Sequence, residues 1–147
     1  MNKLLFALFA VFCCFAVASA DIWSFCDGQD PTTFTFQVST LTLTPDPPVI
    51  GMNATVNVAG NFTEEITGGS STFVVQYQVG NSWISLPSFT SNVCDSYECP
   101  IQPGPVTRVE SIFVPSFTPH GNYRGQLEVT DQSGNTITCI QFVTSMN

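Results

Sequence analysis

Asn53-Ala54-Thr55-Val56-Asn57-Val58-Ala59-Gly60-Asn61-Phe62-Thr63 is the stretch on which the reading of the fold turns. It holds two acceptor triplets for N-glycosylation, Asn53-Ala54-Thr55 and Asn61-Phe62-Thr63, which are meaningful if the chain is exported. A glycan has to face water, so Asn53 and Asn61 place the odd positions outward, where Thr55 and Asn57 are at ease. Ala54, Val56, Val58 and Phe62 then point inward. An alternation of period two that agrees with the glycan positions is the mark of a strand with one face buried.

The same period recurs on both sides of this segment. Phe73, Val75, Tyr77 and Val79 share a face, and Tyr123, Leu127 and Val129 alternate with Arg124, Gln126 and Glu128. In Thr33–Thr44 the phase slips, with Phe34, Phe36 and Val38 set against Leu41 and Leu43. A bulge near Ser39-Thr40, or a change of sheet there, accounts for the slip. Val106–Val114 is ambiguous, because Ile112-Phe113-Val114 is apolar on both faces. With Trp83–Phe89 and Thr136–Thr144, seven or so strands are expected, separated by turns rich in Pro, Gly and Asn. No helical period follows the first 20 residues. Strands of this number and spacing predict an all-β domain, a two-sheet sandwich.

The N-terminus supports export. Lys3 precedes an apolar run from Leu4 to Val17, and Ala18-Ser19-Ala20 has the small-residue pattern of a cleavage site. A run of about 14 residues is shorter than a membrane-spanning helix requires. Residues 1–20 are therefore expected to be a signal peptide and residues 21–147 the mature domain, which is secreted or held in the endolysosomal lumen. Losing Lys3 leaves Arg108 and Arg124 against 11 acidic residues, a net charge of −9. So acidic a surface repels phosphate backbones and excludes nucleic acid as a partner. It also repels anionic bilayers, a repulsion that weakens as carboxylates protonate near pH 5.

Cys26, Cys94, Cys99 and Cys139 remain in the mature chain, an even number in an oxidising compartment. Four cysteines allow three pairings. The four-residue loop between Cys94 and Cys99 is one that a hairpin end could close, which leaves Cys26 for Cys139. A zinc site is disfavoured, since His120 is the only histidine and no C-x-x-C pair exists.

Catalytic chemistry finds little foothold. Ser116, His120 and Asp131 could be drawn as a triad, but no nucleophile elbow surrounds them. Glu64-Glu65 reads as an exposed acidic turn. Asp27 and Asp30 lack the rest of a calcium loop. No metal or cofactor is expected, nor an enzyme. The unusual feature is the aromatic load, 13 Phe over the whole chain. Those rings either fill a sandwich core or wall a gap between sheets that admits an apolar guest.

The order of motifs separates these two. Leu41-Thr42-Leu43-Thr44-Pro45-Asp46-Pro47-Pro48 with Gly51 is followed by Gly60, Glu64-Glu65-Ile66 and Gly69. Then come Cys94-Asp95, Cys99-Pro100-Ile101 with Gly104, Pro119-His120-Gly121-Asn122-Tyr123 and Gly134-Asn135-Thr136-Ile137-Thr138-Cys139. In this arrangement the mature chain resembles the MD-2-related lipid-recognition (ML) family, and within it the phosphatidylglycerol/phosphatidylinositol transfer proteins and the Niemann-Pick-type sterol transfer proteins. The resemblance implies an immunoglobulin-like sandwich with a hydrophobic cavity between its sheets, and the bridges Cys26–Cys139 and Cys94–Cys99. It implies a monomeric carrier of one phospholipid or sterol that touches membranes transiently. A third bridge found near the front of the sterol-transfer members has no cysteines here.

On that view the inward residues Val56, Val58, Phe73, Val75, Tyr77, Tyr123, Leu127 and Val129, with Ile112 and Phe113, are the expected cavity wall. Burying on the order of 400 Å² of ligand at about 25 cal/mol/Å² yields roughly 10 kcal/mol before association costs. The competing classes are an immunoglobulin-like recognition or adhesion module with a filled core, and a glycan-binding sandwich presenting Trp83 and Tyr97.

Overall fold

The structure, a computed structural model, describes residues 21–147; the expected signal peptide, residues 1–20, lies outside the described residues. Among the described residues nine strands form two antiparallel sheets. They are β1 (Trp23–Phe25), β2 (Phe36–Thr44), β3 (Asn53–Phe62), β4 (Gly69–Val79), β5 (Ser82–Ser85), β6 (Phe89–Asn92), β7 (Gly104–Phe113), β8 (Gly121–Asp131) and β9 (Thr136–Met146). The large sheet runs β1-β9-β8-β4-β5, with β6 also paired to β4, and the small sheet runs β2-β3-β7. The expected β-sandwich is the observed fold.

Several expectations differ in detail. Trp83–Phe89 is two strands, not one: Pro87 offers no N–H, and the chain breaks there and shifts along β4. β5 pairs with Gln76–Val79, and β6 with Ser70–Phe73. β2 begins at Phe36, because Pro31–Thr33 forms a 3₁₀ turn capped by the Asp30 side chain. β1 is too short to show a period. One helical turn, Val93–Ser96, is capped by Asn92. The phase slip in β2 is a bulge: the register with β3 shifts between Val38 and Thr40. Phe36, Val38, Leu41 and Leu43 thereby all share one face with Phe62, Gly60, Val58 and Val56.

Most of the fully buried side chains gather at one end, with Ala54, Val114, Tyr123 and Thr144 buried at the other. Phe36, Phe62, Ile66, Val93 and Ile137 form the main cluster, with Val38, Val58, Tyr97, Ile101, Val106 and Val129 packed on it. Beside it Cys26, Cys139 and Phe34 form a second cluster, joined by the Cys26–Cys139 bridge. Cys94 and Cys99 are bonded to each other just after β6. Asn53 and Asn61 are both exposed.

The β8–β9 turn is held by Asp131. Its Oδ1 accepts from the backbone N–H of Ser133 at 2.7 Å and of Asn135 at 2.9 Å, and its Oδ2 from Asn135 Nδ2 at 3.1 Å. Burial pushes this carboxyl up, but the hydrogen bonds from Asn135, Ser133 and Gly134 outweigh it and hold it below its ordinary value. A depressed folded-state value stabilises above the unfolded value of about 3.9, and the contribution is lost as pH falls through the folded value. The turn therefore stays intact at pH 5. Asp131→Ala is expected to cost about 1–3 kcal/mol at pH 7 in denaturant unfolding, and progressively less below pH 4. A cost independent of pH would contradict this account.

Candidate functional site

Paired residues of antiparallel strands share a face, so the register assigns the walls between the sheets. On β8, Val129 packs against the core cluster that holds Phe36 and Phe62 of the small sheet, which makes its row the inner one. That row carries Tyr123, Gly125 and Leu127. Opposite them on β4 stand Tyr77, Val75 and Phe73, and on β9 Thr144, Phe142 and Ile140. Trp23 and Phe25 of β1 continue it beside Phe142 and Ile140. The small sheet contributes Leu41, Leu43, Val56 and Val58. Between the two ends Leu41, Leu43, Val56, Val58, Phe73, Val75, Leu127, Ile140 and Phe142 are only half-buried, although all face the opposite sheet.

Glycines let several rings lie along the sheets instead of standing into the gap. A Cβ on Gly125 would meet the Phe142 ring, with Cζ at 2.6 Å, and Val74 O at 2.7 Å. A Cβ on Gly60 would meet Phe36 Cζ at 2.5 Å, and one on Gly121 would meet Tyr77 Cε2 at 2.9 Å. Phe142 stacks with Phe73 at 6.0 Å between centroids, and Tyr77 tilts against Tyr123 at 4.9 Å. Such contacts add roughly 0.5–1.5 kcal/mol each beyond area burial.

The two flanks differ. On one, Trp23 Nε1 donates to Leu41 O at 2.9 Å and joins the sheets. On the other, β7 is the edge of the small sheet, and β5 and β6 form the edge of the large one. Ile84 pairs with Tyr77 and Phe89 with Phe73, so both stand on the inner face, yet they are 50% and 67% exposed. Ile112, paired with Ala54 across the small sheet, is 54% exposed. Large apolar residues aimed between the sheets but open to water mark this flank as the mouth of a gap.

Tyr123 and Tyr77 also anchor the loop that ends the sandwich. Tyr123 donates to Pro119 O at 2.8 Å and Tyr77 to His120 O at 3.1 Å. Burial, and then the neighbouring Tyr77, raise the Tyr123 hydroxyl above its ordinary value, so it remains a donor. The β2–β3 loop joins this loop through Gly51 N–H to Val114 O at 2.8 Å and Val114 N–H to Met52 O at 3.0 Å. Met52 and Phe117 project from the pair, Phe117 with 87% of its surface exposed.

Of the residues expected on the cavity wall, the register brings Val56, Val58, Phe73, Val75, Tyr77, Tyr123, Leu127 and Val129 to the facing surfaces, with Ile112 at the mouth. Phe113 is corrected: it pairs with Asn53 on the outer face of the small sheet, 58% exposed, because Ile112 takes the inward position. Leu41, Leu43, Ile140, Phe142, Trp23, Ile84 and Phe89 were missing from that expected set. The Ile140-Gln141-Phe142 alternation could have found two of them; the faces of β5 and β6 depend on pairing offsets that no local pattern reveals.

His120 precedes β8 and Asp131 ends it, roughly 36 Å away at about 3.3 Å per residue, so the two cannot share a proton. Among the described residues no group of His, Cys, Asp and Glu could hold a metal ion. A groove of about 490 Å³ lies on the outer face of the large sheet, lined by Asp27, Val74, Gln76, Arg124, Gln126, Gln141 and Val143. Its amides pair with their neighbours, as in Arg124 Nε to Gln76 at 2.6 Å and Gln141 to Ser24 at 3.1 Å. Trp83 and Tyr97, suggested for glycan stacking, are half-buried, and each has one face covered by an arginine.

Comparison with known proteins adds five findings. The profile of the family described as "ML domain" matches residues 20–146. A Dictyostelium discoideum protein provisionally named a phosphatidylglycerol/phosphatidylinositol transfer protein is 43% identical over 145 residues, 98% of each chain. The phosphatidylglycerol/phosphatidylinositol transfer protein of Aspergillus fumigatus is 29% identical over 117 residues, covering 76% of this chain and 65% of its own. Among solved structures, a Niemann-Pick type C2 protein from the Japanese carpenter ant superposes with a TM-score of 0.59 at 13% identity, over 84% of this chain and 99% of that one. Chicken MD-1 complexed with lipid IVa gives 0.54 at 15% identity, over 84% and 87%. At these identities the two structures speak for the fold.

Proposed function

The chain belongs to the ML-domain family, and from that premise we propose that it takes up a single lipid between its sheets and carries it between membranes. The cargo is a phospholipid of the phosphatidylglycerol/phosphatidylinositol kind, or a sterol. One observation carries the reading: the inner faces are apolar and aromatic along their length, yet they close fully only at the ends and stay half-buried between. A filled adhesion-type core would bury Phe73, Val75, Leu127 and Phe142, which here are only half-buried. The hydrocarbon enters at the flank between β7 and β5–β6, driven by removal of apolar surface from water. The carrier works outside the cytosol, secreted or in the endolysosomal lumen, after removal of residues 1–20, with its bridges formed and glycans on Asn53 and Asn61.

Native mass spectrometry of protein from a eukaryotic host tests this directly. One co-purified or reloaded lipid per chain is the expected result. A bare mass after incubation with mixed phospholipid and sterol vesicles would remove the proposal.

Membrane contact is made by the loop pair bearing Met52 and Phe117. An exposed aromatic at a loop tip inserts at the headgroup boundary, and the two loops, 45–52 and 114–120, carry one carboxylate between them, Asp46. Phe117→Asp is expected to slow transfer between zwitterionic vesicles about tenfold while equilibrium lipid binding changes less than twofold. An unchanged transfer rate would place the contact elsewhere.

A further inference from the structure

The mature chain has two cations, and they occupy opposite sides of the molecule. Arg124 lies in the outer groove over Trp83, 4.5 Å from its centroid. Arg108 pairs with Val58 on β3, and Val58 packs on the core cluster. The Arg108 side chain therefore rises on the inner face of β7, the edge strand at the mouth, with Glu110 two residues along on the same face. Its guanidinium sits 4.8 Å from the centroid of Tyr97, a half-buried ring that itself packs on the core cluster. Burial first of all raises the Tyr97 hydroxyl; Arg108 draws it down and Glu110 pushes it up, so both charges are felt at one place.

Arg108 is exposed at the mouth, so a ligand's charged group can reach its guanidinium there. The aromatic platform fixes the guanidinium's position, and its planar array of N–H donors matches two oxygens of one phosphate. We propose that Arg108, seated on Tyr97, is the headgroup subsite of the cavity and holds the phosphodiester of an anionic phospholipid whose acyl chains lie between the sheets. This rests on the lipid-carrier reading and narrows it from lipids in general to anionic phosphodiesters. The net charge of −9 does not forbid such a ligand. Screening at physiological salt confines each charge to a range of about 8 Å, so the local cation governs the mouth. A sterol has only a hydroxyl to offer there, a neutral hydrogen bond in place of the charge-assisted pair that a phosphodiester makes.

The experiment uses the full mature glycoprotein, stripped of lipid, with phosphatidylglycerol and a diacylglycerol of the same acyl chains as probes. Arg108→Gln is expected to weaken phosphatidylglycerol binding at least tenfold and to change diacylglycerol binding less than twofold. Arg108→Lys should recover part of the loss, since it keeps the charge without the planar fork. Raising salt should weaken phosphatidylglycerol binding to the native chain and not to Arg108→Gln. If Arg108→Gln binds phosphatidylglycerol as the native chain does, or loses both probes alike, the subsite is wrong while the carrier stands. If the native chain binds neither probe, the subsite falls, and failure to take up cholesterol as well brings the carrier down with it.

Discussion

Replacing Cys26 and Cys139 by alanine is expected to lower the free energy of unfolding by about 5 kcal/mol. The bridge spans 113 residues, and in the chain-entropy account closing so long a loop removes roughly 4.8 kcal/mol of unfolded-state freedom. Total stability for a domain of this size is on the order of 5–15 kcal/mol, so the loss removes a large share of it. The bridge also ties β1 to β9 beside Phe34, and Cys139 is wholly buried, so truncation leaves a small void as well. The Cys94–Cys99 bridge closes a loop only 5 residues apart. The same account gives it about 2 kcal/mol, and its removal should leave a folded, lipid-competent protein. Urea titration of the two double variants decides the matter. Equal losses would mean that loop length is not what these bridges act through.

Gly125→Val should be the most damaging single substitution to the proposed cavity. The inner face of β8 has no side chain at this position, and the Phe142 ring lies across the vacancy. A branched side chain must drive that ring off the sheet and into the gap, where the lipid tail belongs. It must also push against Val74 O, a backbone atom that cannot rotate away. Overpacking of this kind costs typically 1–3 kcal/mol, and the backbone contact puts the expected loss near the upper end, about 3 kcal/mol. Lipid loading should fall at least tenfold in the fraction that remains folded. Phe142→Ala supplies the control: it widens the gap and keeps uptake, and in its presence Gly125→Val should cost at least about 1 kcal/mol less. If the two substitutions add independently, the ring and the glycine do not share that space.

Alternation around Asn53–Phe62, set by two glycan acceptors, predicts the strand and the direction of its side chains, and the slip at Ser39-Thr40 predicts the bulge. Both are local features with a period of two, and a chain that must bury one face of each strand writes them into its residue order. Trp83–Phe89 shows where this stops. Its residues look like one strand, but Pro87 divides them, and only pairing with two separate parts of β4 turns Ile84 and Phe89 toward the gap. Ile112-Phe113-Val114 is equally mute, since apolar residues at consecutive positions do not say which faces in; the register against Ala54 and Asn53 does.

An acidic two-sheet sandwich, its likeness to the ML family and the candidate bridges were thus contained in the residue order itself, because composition, cysteine spacing and alternation act over short range. Which cysteines meet, which flank stays open and which of two arginines faces the gap were decided by the tertiary structure. Those are consequences of strand register and of contacts between residues far apart in sequence. A shift of a single residue would have turned Arg108 to the outside and brought Val109 in.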